Sequence, residues 1–356
     1  MPPFLRFIIT RFLAIPVTVL IVTMTLYAFV LLTPAEARAQ LYFPTRMSPR
    51  MTEEMLQEYT QRIIRDHHMD EPYPIQYLYW LRELLLGNWG YSPVLNEDVL
   101  PALVRRTPVT AEIILYSLLL YVPLGLVTGT IAGWKKNQRF DRNFRIGAFI
   151  SSAIPTFILA LVLLDVFYVA LHWFPPERLS MANNLLYKSD DWRSITGLLT
   201  IDGLLNGKPS ISVDALRHLV LPVVTVALFF WATLGRITRA GIIEESKKEY
   251  ILAAQARGVS HHSLMWGHSF RNVLTPALTH TALSIAWLLT GVYVVEIIYN
   301  FRGISEVGIQ GVQYIPDAPS IMGFAIYSVI LVSLTMFALD VLQAVLDPRL
   351  RQGVTQ

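Results

Sequence analysis

Residues 249–258 read EYILAAQARG and open the basic part of a polar stretch, 244–276, that lies between long apolar runs. Gly258 has the position of a residue that ends a helix in the left-handed conformation, and Ser260 can cap a following helix. The spacing i, i+3, i+4 and i+7 puts four side chains on one helical face; they are Tyr250, Ala253, Ala254 and Arg257. The stretch therefore predicts a helix, a glycine turn and a second, short helix.

Two interpretations of this helical stretch are open from spacing alone. The small side chains on the shared face would let the surface of another protein approach closely. The alternative is an ordinary amphipathic loop that lies on the membrane interface.

Composition places the chain among membrane proteins. Of its 356 residues, 53% are hydrophobic and 15% are charged, and the mean hydropathy is +0.45. Soluble domains are usually less apolar and more charged than this. The chain has no cysteine, which excludes disulfides, thiolate metal ligands and cysteine nucleophiles.

The apolar residues are gathered in six runs, which predict an all-α integral membrane protein with six transmembrane helices. At 1.5 Å per residue, the first run is long enough to cross a hydrocarbon core of about 30 Å. The runs are Phe12–Leu32, Ile113–Trp134, Ile146–Phe174, Leu219–Leu234, Ala277–Ile298 and Ile321–Leu346. We expect the N-terminus and first helix in 1–34, an outer segment in 35–106 and the membrane core in 107–351.

The basic residues decide the orientation, because short cytoplasmic loops are enriched in lysine and arginine. They precede the first run, fill the loop between runs two and three, lie between runs four and five, and follow run six. They are Arg6, Arg11, Lys135, Lys136, Arg139, Arg142, Arg145, Arg239, Lys247, Lys248, Arg257, Arg271, Arg349 and Arg351. The N and C termini and the loop 239–276 are therefore predicted to be cytoplasmic, and segments 35–106, 175–215 and 300–320 extracytoplasmic.

The first extracytoplasmic segment is predicted to be structured. Met55, Tyr59 and Ile63 form a helical stripe, and residues 75–86 predict a second helix that ends at Gly87. Its many aromatic residues are typical of an interfacial belt, and stacking on a substrate is the other interpretation.

Glycines and carboxylates stand out within the apolar runs. Gly125, Gly129 and Gly133 recur every four residues, so a neighbouring backbone can approach that helix face. Asp165 and Glu296 are carboxylates in apolar surroundings, where such groups usually face a bundle interior or water. Both are candidates for a translocation path; Asp165 is the deepest and the best of them, and for Asp165 a structural pair with a hydroxyl is the alternative. Prolines 123, 155 and 222 can kink their helices.

The sequence offers no catalytic or metal site. Residues 203–209, GLLNGKP, lack one residue of a phosphate loop and have proline in place of its Ser or Thr. His261, His262 and His268 lie close in sequence, but no acidic or cysteine ligand completes a metal site. A transporter built from this chain must therefore draw its energy from another protein.

An ordered set of motifs resembles the permease subunit of ABC importers of the dipeptide, oligopeptide and nickel class. The central match is 250–258, YILAAQARG, followed by 268–276, HSFRNVLTP, and it resembles the cytoplasmic loop that docks on the ATPase. Supporting matches are GNWGYS at 87–92, IPTF at 154–157, HLVLP at 218–222, Glu296 with FRG at 301–303, and LDPR at 346–349. Leu252 departs from the pattern because many ABC permeases have glutamate there, and Ser305 stands where a second glycine is usual.

The resemblance implies a six-span permease without an ATPase site, which couples to separate ATPase subunits through residues 249–272. The coupling residues it implies are Glu249, Tyr250, Ala253, Ala254, Arg257, Gly258, His261 and His262. It also implies a second homologous permease, two ABC ATPases that bind ATP and Mg²⁺, an extracytoplasmic solute-binding protein and a location in the inner membrane, with no nucleic acid. The chain itself would bind no cofactor.

Two other functional classes are alternatives to an ABC permease. An ion-coupled secondary transporter would use Asp165 and Glu296 to bind or relay the coupling ion, and it predicts inverted repeats. No internal repeat is visible in the sequence. A membrane-embedded enzyme would need a catalytic constellation, which the sequence does not offer.

Overall fold

The computed structural model of the protein describes residues 3–39, 42, 52–313 and 317–346. The predicted basic C-terminal residues Arg349 and Arg351, and most of the 346–349 motif, lie outside these ranges. The helices are α1 (Pro3–Val30), α2 (Ala35–Ala39), α3 (Glu53–Asp66), α4 (Tyr73–Leu85), α5 (Val99–Trp134), α6 (Arg139–Ala153), α7 (Thr156–Leu164), α8 (Met181–Tyr187), α9 (Leu199–Leu205), α10 (Pro209–Glu245), α11 (Glu249–Ala256), α12 (Phe270–Ile298), α13 (Ile304–Gln313) and α14 (Ala318–Leu346). A two-stranded antiparallel hairpin, β1 (Tyr91–Ser92) and β2 (Glu97–Asp98), precedes α5. Two π-helical segments, Asp165–Ala170 and Ser263–Ser269, follow α7 and precede α12.

Four helices among the described residues are long and apolar enough to cross a membrane. They contain residues 5–30, 99–134, 209–245 and 318–341. Two bent helix pairs, 139–153 with 156–170 and 263–285 with 287–298, also pass the test when each pair is taken together. The protein is therefore helical with four spans, or up to six if each bent pair is one span.

The third apolar run does not form the continuous helix that its composition predicts. The chain bends by 99° between α6 and the helix that begins at Thr156. Ile154 is extended, with ψ of 122°, because the ring of Pro155 disfavours the helical conformation of the residue before it. Pro123 and Pro222, in contrast, lie inside the unbroken helices α5 and α10.

The polar stretch 239–276 is more helical than predicted. α10 continues through Arg239 to Glu245, well beyond the predicted end at Leu234. The short helix that the sequence predicts after the Gly258 turn is not a separate element. It contains a π-helical segment that continues directly into α12 at Phe270. The connection between the long helices α10 and α12 is therefore limited to α11 and the turns on either side of it.

The described chain divides into two compact units. One consists of residues 107–303 with pieces from both ends of the chain, and the other of residues 8–106 and 304–334. The core of the first unit is built by α5, α7, α10 and α12, and Tyr121, Leu234 and Leu288 are among its fully buried side chains.

The three glycines of α5 lie against α10 in the first unit. A methyl group added at Gly129 would lie 2.5 Å from the carbonyl oxygen of Gly235, and one at Gly133 would lie 2.7 Å from that of Arg239. At Gly125 the nearest atoms belong to Leu234. Since real side chains do not tolerate such distances, the two backbones can approach this closely only where α5 has no side chain.

In the second unit, α4 packs against α1. Tyr77 is buried, and its hydroxyl lies 3.0 Å from that of Thr23 in α1. Its neighbour Trp80 stacks on Tyr27, with 5.1 Å between the ring centroids. The two helices predicted for this segment are present as α3 and α4, and Gly87 has a positive φ of +91° after α4.

The hairpin of the second unit is fixed by a buried carboxylate. Asp317 accepts hydrogen bonds from the hydroxyl of Ser92 and from the backbone and hydroxyl of Ser320, the latter two at 3.1 and 2.9 Å. Arg106 joins Glu97 at 3.0 Å to Glu306 at 2.8 Å in the same unit. These ion pairs and hydrogen bonds connect the segment before α5 to α13 and α14.

The segment between the 165–170 π-helix and α10 belongs to the first unit and is held there by two buried carboxylates. Glu112 of α5 is buried and accepts hydrogen bonds from Arg178 at 2.8 Å and from the backbone and hydroxyl of Thr200 at 2.9 and 2.7 Å. Asp202, also buried, accepts four hydrogen bonds from residues 195–197, at 2.7 to 3.1 Å. Burial raises the pKa of Asp202, but these hydrogen bonds outweigh it and hold the pKa below its ordinary value.

We expect Gly129→Ala to destabilise the protein in detergent, because the added methyl must push α5 away from α10. The loss should be about 1–3 kcal/mol, seen as a lower temperature of thermal unfolding. Gly291→Ala is the matched control, since no atom of the described part of the chain lies within 4 Å of a methyl group there. Equal unfolding temperatures for the two variants would contradict a close α5–α10 contact.

We expect Asp202→Asn to loosen the turn at residues 195–197, at a cost of about 1–3 kcal/mol for the unmet buried donors. Because the folded pKa of Asp202 is lowered, its contribution is present above the unfolded pKa and is lost as the pH falls through the folded value. The protection factors of the 195–197 amides, which are exchange rates corrected for their intrinsic pH dependence, should therefore fall in acid, and in the Asn variant they should already be low at neutral pH. High protection factors in the variant would refute this role.

Candidate functional site

The turn after α11 is a complete helix-terminating motif. Gly258 has a φ of +82°, in the left-handed region that its position in the sequence predicts. The backbone N–H of Gly258 donates to Gln255 at 3.0 Å, and that of Val259 donates to Ala254 at 3.2 Å. This pair of hydrogen bonds satisfies the last carbonyls of α11 and reverses the chain sharply.

The next helix begins with the predicted serine cap. The hydroxyl of Ser260 accepts a hydrogen bond from the backbone of Ser263 at 3.3 Å. The chain then takes a π-helical form from Ser263 to Ser269 and continues as α12. A short turn after Ala256 thus leads into a helical run that begins at His261 and continues through the π-helical segment into α12.

One side of this segment is buried against its own chain. Ile251, Ala254 and Leu264 form an apolar cluster with Trp134, the last residue of α5, and with Val259. Ala254 is only 1% exposed. The sequence grouped Ala254 with the face open to a partner, but the structure turns this side chain inward because the cluster holds α11 on the end of α5.

The other side of α11 is open. Tyr250 is 40% exposed and Leu252 is 54% exposed. The remaining residues of the predicted coupling set are also exposed: Glu249, Ala253, Arg257, Gly258, His261 and His262. The structure thus leaves Ala254 out of the open face and adds Leu252, which the helical spacing had not selected.

Glu245, at the end of α10, joins three helices. Its buried carboxylate accepts hydrogen bonds from the hydroxyl of Tyr250 in α11 and from Asn272 in α12, the latter at 2.8 Å. Lys248 adds an ion pair at 2.5 Å. Burial and the neighbouring Glu245 carboxylate raise the pKa of Tyr250, so its hydroxyl stays protonated and can donate.

The α10 helix is also tied to α6. Arg239 makes a two-pronged ion pair with the buried carboxylate of Asp141, at 2.5 and 2.9 Å. The backbone of Asn137 donates to the same carboxylate at 2.9 Å. A buried pair of this geometry is costly to break, because removing one partner leaves an unpaired charge.

The two carboxylates selected from the sequence lie in different surroundings. Glu296 is fully buried, accepts a hydrogen bond from the hydroxyl of Thr110, and lies so close to Gly303 that any side chain there would collide with it. Asp165 is exposed at the start of the π-helical segment after α7. The pairing with a hydroxyl that the sequence offered as the alternative for Asp165 is thus found at Glu296, for which the sequence did not predict it.

A cavity of about 450 Å³ lies within the first unit, between α7, α10 and α12. Aromatic side chains line it, among them Phe229, Phe230 and Trp287. Its polar lining includes Thr233, His280, Ser284 and Thr290. Neither Asp165 nor Glu296 belongs to the lining. The sequence does indicate this cavity, because hydroxyl and imidazole side chains lie inside its apolar runs. The candidates selected from the sequence were carboxylates and did not include these side chains.

Within the described ranges, no group of three or more His, Asp or Glu side chains could share a metal ion.

Comparison with known proteins identifies relatives along the whole chain. Residues 125–352 match the family described as binding-protein-dependent transport system inner membrane component. The chain is 30% identical over 330 residues to the di/tripeptide transport system permease protein DppB of Pseudomonas aeruginosa, covering 93% of this chain and 94% of that protein. It is 27% identical over 348 residues to the dipeptide transport system permease protein DppB of Bacillus subtilis, covering 97% and 98%.

A third relative, at 24% identity over 345 residues, is the probable peptide ABC transporter permease protein y4tP of Sinorhizobium fredii, with 97% and 99% covered. The family match spans more than half of the chain, and it includes α10, α11 and α12, which build the candidate site. The apolar helices agree with a multi-pass protein of the inner membrane. The chain therefore belongs to the binding-protein-dependent transport system inner membrane components, the permease subunits of ABC importers.

Proposed function

We propose that this permease forms half of a translocation path for peptides and is driven by ATPases that dock on the exposed face of residues 249–272. The observation that supports docking at this place is the geometry of the α11 segment. Its buried side is held against α5, α10 and α12, while its other side is exposed. The names of the relatives, which transport dipeptides, tripeptides or peptides, support a peptide cargo.

The topology that goes with this function has six spans and cytoplasmic N and C termini. Counting each bent pair as one span supports the number six, and the basic residues near 135–145 and 239–271 support the orientation. The structured segment 35–106 would then be extracytoplasmic, between spans one and two. Residues 1–34 hold the first span, 107–351 the permease core and 239–276 the cytoplasmic coupling region.

The partners that this function requires are proteins outside the chain. They are a second homologous permease, two ABC ATPases and an extracytoplasmic solute-binding protein, within membrane lipid. ATP and Mg²⁺ would bind on the ATPases, and this chain would bind neither. No nucleic acid has a part in the cycle.

Glu245 explains how a push on α11 would reach the membrane. A displacement of α11 must move or break the hydrogen bond between Tyr250 and Glu245, which ends α10, and the one between Asn272 and Glu245, which holds α12. The helices therefore respond together. Differential contacts of the ATPase with two arrangements of this group would bias the bundle between outward and inward access.

The ion-coupled secondary transporter is not favoured. The family match and the relatives are permeases of ATP-driven systems. Glu296, one of the two carboxylates that this alternative requires, is enclosed by Thr110 and Gly303 and does not line the cavity.

We expect Leu252→Arg to leave the permease inserted but to reduce ATPase retention about ten-fold or more, because it puts a long basic side chain into the docking interface at a position where many ABC permeases carry glutamate. Copurification of the ATPase and peptide uptake, both at matched permease levels, measure the effect. The matched control is Leu204→Arg, the same change at a leucine of α9 that is 63% exposed.

The control variant should keep its ATPase. A Leu252→Arg variant that retains the ATPase and transports at the wild-type rate would refute docking on this face. Ala254→Glu is unsuitable for this purpose, since it would disrupt the permease's own apolar cluster.

The absence of natural cysteine allows a direct test of topology, because a single introduced thiol is the only one in the chain. We expect Lys136→Cys to react with a membrane-impermeant maleimide only after the cytoplasmic side is opened, and Asp190→Cys to react in intact cells. Both residues are exposed. Reaction of Lys136→Cys in intact cells would overturn the proposed orientation.

A further inference from the structure

The cavity between α7, α10 and α12 has the size and lining of a small-molecule site. Its volume of about 450 Å³ falls in the range of ligand pockets, about 300–1,000 Å³. Trp287 is 75% exposed and forms part of its wall with Phe229. Of the described residues that line it, none carries a carboxylate, an amine or a guanidinium group.

The hydroxyl groups in the wall are arranged as acceptors. Ser284 donates to the carbonyl of His280 at 2.9 Å, and Thr290 donates to that of Trp287 at 2.9 Å. A hydroxyl has one hydrogen and two lone pairs, so each of these oxygens has used its hydrogen and retains acceptor capacity. The wall therefore suits a ligand that brings N–H donors and apolar groups.

These polar groups also argue against a purely apolar occupant. Hydroxyl and imidazole groups facing hydrocarbon lose hydrogen bonds to water without replacement, which is costly in a membrane. Polar side chains within spanning helices usually face a bundle interior or a water-filled cavity. A lipid chain in this cavity would offer no hydrogen bond to the acceptor capacity that Ser284 and Thr290 retain.

We propose that the cavity is a transit site that selects peptides with uncharged side chains. The peptide would donate its amide and ammonium N–H groups to Ser284 and Thr290 and place an apolar side chain against Phe229 and Trp287. This inference rests on the proposed function, a peptide permease, and adds the part of the chain that discriminates among peptides. The charges of the two peptide termini offset each other, whereas an acidic or basic side chain adds a net charge that no carboxylate, amine or guanidinium group of the described wall can pair with.

The first test uses neighbouring single thiols in the assembled transporter. Thr290→Cys puts a thiol at an exposed position of the cavity wall, whereas Leu283→Cys puts one on the same helix at a side chain that is 55% exposed and does not line the cavity. Since a thiol reacts as the thiolate, which needs water, and an exposed apolar position away from the cavity would face lipid, a hydrophilic methanethiosulfonate should label Thr290→Cys about ten-fold faster than Leu283→Cys. Ala-Leu supplied with the solute-binding protein during ATP turnover should slow the labelling of Thr290→Cys.

Two outcomes of this test would overturn the proposal. Equally slow labelling of both thiols would mean that lipid or the companion permease fills the cavity. Fast labelling that Ala-Leu does not slow would mean a water-filled space that the peptide does not enter.

The second test changes selectivity. In Thr290→Lys, the new amine should raise uptake of Ala-Glu relative to Ala-Leu by about ten-fold, because it supplies the missing counter-charge. Thr290→Gln, of similar length but neutral, should leave the ratio as in the wild type. An unchanged ratio in the assembled Lys variant would refute the site, and if that variant does not assemble, the labelling test decides.

The wild-type transporter separates failure of this inference from failure of the proposed function. If it takes up neither Ala-Leu nor Ala-Glu while hydrolysing ATP, the peptide function itself is wrong. If it takes up both and no cavity variant changes labelling or selectivity, only the transit site is wrong.

Discussion

The close approach of α5 to α10 is the contact on which the first unit depends. Lipid tails are as apolar as leucine, so helices in a membrane gain little from apolar contact alone and rely on close packing. Gly129 against Gly235, and Gly133 against the carbonyl of Arg239, provide that packing. α10 in turn contacts α6, α7, α9 and α12, so its position on α5 determines where the other helices can lie.

Polar groups fix the ends of the same helices. Arg239 on α10 joins Asp141 on α6, and Glu245 at the end of α10 joins Tyr250 and Asn272. Apolar packing alone leaves rotation and sliding of a helix weakly determined, whereas a buried charge with several donors has few satisfactory arrangements. The α11 segment is therefore held in one position by hydrogen bonds as well as by its apolar cluster.

Local chemistry made part of this fold predictable. Gly258 and Gly87 take the positive φ that their places after helices require, and Ser260 caps the next helix. The 99° bend before Thr156 could not be predicted from the sequence, because three prolines lie in similar apolar contexts. They are Pro123, Pro155 and Pro222, and of these only Pro155 follows a helix end, whereas the other two lie inside continuous helices. Whether a proline kinks or breaks a helix depends on neighbours that re-satisfy its backbone, and those are set by tertiary structure.

The candidate site shows the same division between local and tertiary information. Helical spacing groups residues on a face of α11 but does not reveal which face packs against the rest of the chain. The sequence therefore places Ala254 on the face open to a partner, whereas in the structure Trp134 and Leu264 cover its side chain. The cavity was missed because its lining comes from three helices far apart in sequence. Glu296 is a candidate from the sequence because it is a charged residue among apolar ones. Its role in the structure depends on its contacts with Thr110 and Gly303, which are distant in sequence.

Glu112 and Trp134 lie on one helix, α5, 22 residues or about 33 Å apart. The first holds Arg178 and Thr200 of the folded segment before α10, and the second lies under α11. One continuous helix thus connects the folded segment before α10 to the α11 segment on which ATPase docking is proposed. If a displacement is carried along this helix, thermodynamic linkage makes the coupling equal in both directions. A ligand bound at the Arg178–Thr200 end would then alter binding at α11 by the same factor as binding at α11 alters its own.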